Sequence, residues 1–265
     1  MKVRLGCFAL MRGDEKSIKD AGYDAAEFSV AQVMELYGPA FKELQKRFGD
    51  TGLDFDVFDN PIPLTERICG EEFELDTWRD YLLRASERCA RLGGNKYVFG
   101  NGAARSAPVG SGAPAARDKL DRFIDMLCGV SARYGITVMI EPLSRVFSNM
   151  FNTIEDCADA IRYYGISNLT SMVDLRHIVA LELPMSDIVK HKGQIAHVHI
   201  DYPYSKLPDR YYPKDTDDYG YSPFFAALEE IGYSGIISVE ANKYANYAEE
   251  IKDDLTFFGK YGVTR

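Results

Sequence analysis

Val138-Met139-Ile140-Glu141-Pro142-Leu143-Ser144-Arg145 is an apolar run that climbs into a glutamate and meets a proline at once. Such a run fits a strand buried on both faces, as in a parallel sheet. Proline has no N–H to give to a sheet ladder, so the strand stops there and leaves Glu141 at its carboxyl end. A carboxylate in that position is costly unless something positive holds it. One such residue is ordinarily a solvated loop residue or half of an ion pair. The question is whether the pattern recurs.

It does. Strand-like segments over residues 3–9, 23–30, 52–58, 95–100, 138–141, 169–174, 195–201 and 236–240 alternate with helical ones. The helical segments span about 14–22, 39–48, 76–92, 115–134, 153–165, 184–190, 223–232 and 246–261. Asp14 is placed to cap the first helix, and Gly22 to end it. Trp78, Tyr81, Leu82, Ala85 and Cys89 form one face of the fourth-strand-preceding helix. Eight strands alternating with eight helices predict a (β/α)8 (TIM) barrel, a parallel eight-stranded barrel surrounded by helices, as one domain over 1–265. An open doubly wound sheet is the alternative, but it usually carries a glycine-rich phosphate turn after its first strand, and residues 9–14 contain only Gly13. Loops 101–114 and 202–221 are long enough to act as lids.

Composition narrows the class. Of 265 residues, 46% are hydrophobic and 27% charged, as in a soluble enzyme with a sizeable core. Lys+Arg is 31 and Asp+Glu is 40, a net charge of −9, which opposes nucleic-acid and anionic-membrane partners. No run is long and apolar enough for a bilayer, and the N-terminus lacks a signal-peptide core. The scattered cysteines (Cys7, Cys69, Cys89, Cys128, Cys157) form no metal-type cluster and fit reduced thiols in the cytoplasm. A homo-oligomer is compatible with all of this.

In a (β/α)8 barrel the functional face lies at the carboxyl ends of the strands. Strands five to eight end at Glu141, Asp174, His199 and Glu240. Three carboxylates converging on one mouth raise one another's pKa unless a cation sits among them. Three carboxylates and an imidazole are mostly hard oxygen ligands. They suit Mn²⁺, with Mg²⁺, Co²⁺, Fe²⁺ or Zn²⁺ compatible, and argue against a cysteine-rich structural zinc site. His197 and His199 share one face of their strand, and His199 is nearer the mouth. His197 is then a core histidine or a residue behind the ligands. His177 could reach a substrate oxygen or sit on the surface, and His191 belongs at the bottom or outside.

These residues resemble the xylose-isomerase-like barrels, and within them the sugar isomerase/epimerase branch of the D-tagatose 3-epimerase, D-psicose 3-epimerase and hydroxypyruvate isomerase type. Ile140-Glu141-Pro142-Leu143-Ser144-Arg145 is similar to that branch's E-P-L-N-R stretch, Asp174-Leu175-Arg176-His177 to its D-x-x-H, His197-Val198-His199 to its H-x-H strand, and Val239-Glu240 to its last strand end. The resemblance implies a divalent-metal site made of Glu141, Asp174, His199 and Glu240, with Glu141 and Glu240 also acting as acid and base. There are departures. Phe147 stands where the 3-epimerases have a second, sugar-contacting glutamate, Ser144 where asparagine is usual, and Ser205 where an arginine follows the histidine strand. The metal site carries over and the sugar contacts do not.

The expected activity is metal-assisted proton transfer on a small carbohydrate or polyol ketone through an enediolate, giving epimerisation or aldose–ketose isomerisation. His177, Arg145, Lys206 and Arg210 are the candidate substrate-binding residues. For Lys206 and Arg210 a surface ion pair is the more ordinary reading. The rival activities are dehydration of an inosose-like cyclic polyol, apurinic endonuclease cleavage, and sugar binding without turnover.

Overall fold

The computed structural model describes residues 1–10, 13–108 and 113–264. Its strands are β1 (Arg4–Phe8), β2 (Ala25–Ser29), β3 (Val57–Asp59), β4 (Lys96–Phe99), β5 (Thr137–Ile140), β6 (Leu169–Asp174), β7 (Ile195–Ile200) and β8 (Ile236–Val239). They pair in parallel in chain order, and β1 pairs with β8 to close the barrel. The connecting helices pack their apolar faces on the outside of the strands, in one continuous core.

Period-two alternation builds the interior in layers. The lower layer is apolar: Ala25, Val57, Val98, Met139, Met172 and Ile236, one from each of six strands. Two residues further along the same chains come Glu27, Asp59, Gly100, Glu141, Asp174 and Ser238. Glu27, Asp59, Glu141 and Asp174 are all buried. So the barrel axis carries a hydrocarbon floor with charged groups directly above it. The opening stretch is one instance of this rule, with Met139 in the floor and Glu141 in the layer above.

The third strand is shorter than its alternation suggests. Residues 53–56 meet the sheet through the Ala25–Asp54 bridge and through the Asp56 carbonyl, which accepts from Asn95 N and Lys96 N at 2.9 Å each. Asp54 and Asp56 instead accept from Arg4, at 2.7 and 2.9 Å. Phe55 stacks on Phe48 at 3.6 Å between ring centroids. The alternation is real, but it serves an ion pair and an outer packing contact. Asp14 does not cap its helix either. Gly13 holds that position, with φ 112°, and Asp14 is the first helical residue. Three short helices, Val30–Met34, Gly102–Arg105 and Leu175–Ala180, follow β2, β4 and β6 where loops were expected. Residues 109–112 of the first expected lid lie outside the described residues. Among the described residues, no helix is long and apolar enough to cross a membrane.

Closure brings β1 hard against β8. A Cβ on Gly6 would lie 2.6 Å from Ser238 Oγ and 2.9 Å from Ile236 Cγ2. Gly6→Ala should therefore destabilise the chain by about 1–3 kcal/mol in urea unfolding. An unchanged midpoint would mean that the seam is looser than described.

Candidate active site

Glu141, Asp174, His199 and Glu240 each present one ligand-type atom, all within 4.8 Å of one another. His199 Nδ1 lies 2.9 Å from Glu240 Oε2 and 3.7 Å from Glu141 Oε1. The first three side chains are buried, and Glu240 is partly open to the mouth. Local structure sets each one. Asp174 ends β6 and caps the next helix, its Oδ1 accepting from Arg176 N at 2.8 Å, which leaves Oδ2 for the cluster. Glu141 lies over Gly100, where a Cβ would come within 2.1 Å of Oε2, so only glycine leaves room for the carboxylate.

Arg210 reaches in from the loop after β7. It donates to Asp174 Oδ2 at 2.7 Å, Glu240 Oε2 at 2.8 Å and Asp201 Oδ2 at 2.9 Å. Asp201 also accepts from Arg176. Burial works against the charge on Asp174, but Arg210 and the neighbouring histidines outweigh it and hold the carboxyl well below its ordinary value. For Asp201 burial prevails and pushes it up to about 7, despite both guanidiniums. A surface ion pair was the ordinary expectation for Arg210. The structure instead buries it, because the backbone of Arg210 pairs with Asn242 beside the end of β8.

His177 is buried beside the cluster, its Nε2 3.6 Å from Asp174 Oδ2 and 4.0 Å from Glu141 Oε1. Its Nδ1 accepts from Ser144 N at 3.3 Å, so the proton of the neutral ring is on Nε2 and points to the carboxylates. Burial lowers its pKa and favours that neutral form. Phe147 meets this ring edge-on, with centroids 5.3 Å apart, and is partly exposed. His191 lies before β7, bonded to Glu155.

Arg145 and Lys206 are not brought to the cluster. Both are exposed, Arg145 on the tight turn closed by Phe147 N to Ser144 O. Other residues at the site carried a sequence signal that was not followed. Glu27 interrupts an apolar strand as Glu141 does, and Asp59 ends β3 as Asp174 ends β6. Glu27 accepts from both His197 and His199, each at 3.0 Å. Arg105 gave no such signal. It is fully buried and donates to the carbonyls of Phe99 (2.8 Å), Glu141 (2.5 Å) and Phe151 (3.4 Å). It therefore ties the end of β4 to the end of β5, and burial lowers its pKa to about 10.

The donor set fits a divalent cation. His199 Nδ1 is buried and makes no hydrogen bond, although a carboxylate oxygen stands 2.9 Å away. Three carboxylates converge on that nitrogen, the arrangement that a hard to borderline cation satisfies.

Comparison with known proteins follows the same lines. The family described as xylose isomerase-like TIM barrel matches residues 16–261. No curated protein matches significantly. Among solved structures, an L-ribulose 3-epimerase is similar with a TM-score of 0.79 and 20% identity, over 98% of this chain and 94% of that one. A 3-keto-D-glucoside 4-epimerase from E. coli gives 0.80 and 19%, over 97% and 99%. An AP endonuclease, family 2, from Brucella melitensis gives 0.76 and 19%, over 98% and 99%. At these identities the likeness speaks for the shared fold.

Arg105→Met would leave those three carbonyls without their donor. The expected loss is about 3 kcal/mol or more in urea unfolding. A loss under about 1 kcal/mol would show that water or neighbouring N–H groups replace the guanidinium.

Proposed function

Because the chain belongs to the xylose isomerase-like TIM-barrel family, we propose that it is a divalent-metal-dependent isomerase or epimerase of a sugar or polyol ketone. The observation that carries this reading is the convergence of Glu141, Asp174, Glu240 and His199 above the barrel floor. The epimerases among its structural neighbours support it. Glu141, Asp174, His199 and Glu240 would hold the cation, with Mn²⁺ the best match to the donors. When bound, the cation would polarise the substrate carbonyl and offset the charge of the enediolate.

The remaining work falls to the chain. Glu141 and Glu240 are the carboxylates placed to take a proton from the carbon beside the carbonyl and to return one. Return to the opposite face of that carbon gives an epimer, and return to the neighbouring carbon gives an isomer. His177 points a neutral Nε2–H at the same space and can donate to a substrate oxygen. Arg210 orients Asp174 and Glu240, and its guanidinium is the charged group available to an oxygen-rich ligand. Arg145 and Lys206 would serve only a substrate that extends well beyond the mouth.

Ketoses, aldoses and keto-sugars incubated with Mn²⁺-loaded protein in deuterated water should show exchange at one carbon by NMR. Glu141→Gln and Glu240→Gln should each lower the exchange rate by about 10²–10⁴-fold. No exchange with any substrate, together with no affinity for divalent cations, refutes the proposal. Loss of water rather than exchange would move the assignment to a dehydratase, since the same proton removal can expel a β-hydroxyl. Cleavage of abasic DNA would move it to an endonuclease, although the cluster offers few imidazoles for that chemistry.

Cation affinity should also depend on pH. Burial opposes a proton on His199, but Glu27 and Glu240 outweigh it and raise its pKa well above the ordinary histidine value. A proton on Nδ1 competes with the cation, so affinity should fall as pH falls. Calorimetric titration across pH checks the sign.

A further inference from the structure

Glu27 takes no part in the reaction proposed above, yet it is fully buried beside the cluster, bonded to His199. Its Oε2 faces His197 Nε2 and its Oε1 faces His199 Nε2, each at 3.0 Å. The two Nε2 atoms meet the two oxygens of one carboxylate, the pattern of two N–H donors on one acceptor group. With Nε2 bonded to Glu27, the other ring nitrogen of His199, Nδ1, is left facing Glu240 and Glu141. His197 occupies the other oxygen, so the carboxylate is held from both sides and cannot turn away.

Asp59 ends β3, next to β2, with Ser29 and Asp59 in register, and is buried. Burial opposes the charge on Glu27 as well, but the two histidines outweigh it and hold that carboxyl well below its usual range.

We propose that Glu27 is a positioning residue: its bond to His199 Nε2 turns Nδ1 into the cluster, and its bond to His197 keeps the carboxylate from turning away. This rests on His199 being a cation ligand, as in the proposed function. Glutamine at position 27 offers one acceptor oxygen and one donor amide, so it can serve only one of the two N–H groups.

Mn²⁺ is titrated calorimetrically into wild type and Glu27→Gln, each checked for folding by circular dichroism. Glu27→Gln should weaken Mn²⁺ binding by about 10–100-fold, the usual effect of removing the partner of a ligating histidine. Equal affinity in Glu27→Gln overturns the positioning role. Should Glu27→Gln fail to fold, ¹⁵N–¹H spectra of the wild-type histidines decide, recorded at a pH high enough that His199 is neutral. A hydrogen-bonded proton on His199 Nε2 supports the inference, and a bare Nε2 overturns it. Those spectra need no metal, so a wild type that binds no Mn²⁺ would refute the proposed function and still leave this inference decided.

Discussion

The structure depends on one electrostatic constraint. A parallel barrel turns every second residue of every strand toward its axis, and this sequence puts acids there. Glu27, Asp59, Glu141, Asp174 and Asp201 are buried within the same upper part of the barrel, and Glu240 is beside them. In a low-dielectric interior such crowding is tolerated only with compensation. The chain supplies two guanidiniums, Arg176 and Arg210, and three imidazoles, His177, His197 and His199. The compensation is unevenly spread. On the β6–β7 side the arginines hold Asp174 and Asp201. On the β2–β3 side the histidines serve Glu27. Between the two sides Glu141, His199 and Glu240 converge, with Arg210 on one edge of Glu240. The donor set there is one that a divalent cation would fit.

Arg105 shows how far the constraint reaches. It makes no ion pair with Glu141, but its donors hold the main-chain carbonyl of that residue. Positive charge therefore stands behind the glutamate while its carboxylate faces the cluster. The two ends of β4 and β5 are held at a fixed spacing, and that spacing is what leaves Gly100 facing Glu141.

Much of this was legible in the chain. Glu141-Pro142, Asp174 and Glu240 were visible because each ends an apolar strand abruptly, and the order of elements was enough for the barrel. The short helices after β2, β4 and β6 were not, since four to six residues contain too little of a 3.6-residue period to stand out. Glu27 and Asp59 gave the same signal as Glu141 but lie in the half of the barrel without a motif. Arg105 could not be seen at all, and Arg210 stood out only as one loop cation beside Arg145 and Lys206, with a surface ion pair the more ordinary reading. A basic residue in a loop is usually solvated, and only the closing of the barrel decides which ones are turned inward. Substrate contacts are set by loops of this kind, so the chemistry is readable where its specificity is not.

The floor of Ala25, Val57, Val98, Met139, Met172 and Ile236 has one further consequence. It puts hydrocarbon directly below the charged layer, while Glu240 above is partly open. A ligand of the cluster would then come in over that rim and, while bound, would itself stand between the carboxylates and bulk water. If a proton were lifted from such a ligand, its return to the molecule it came from would compete with its loss to solvent.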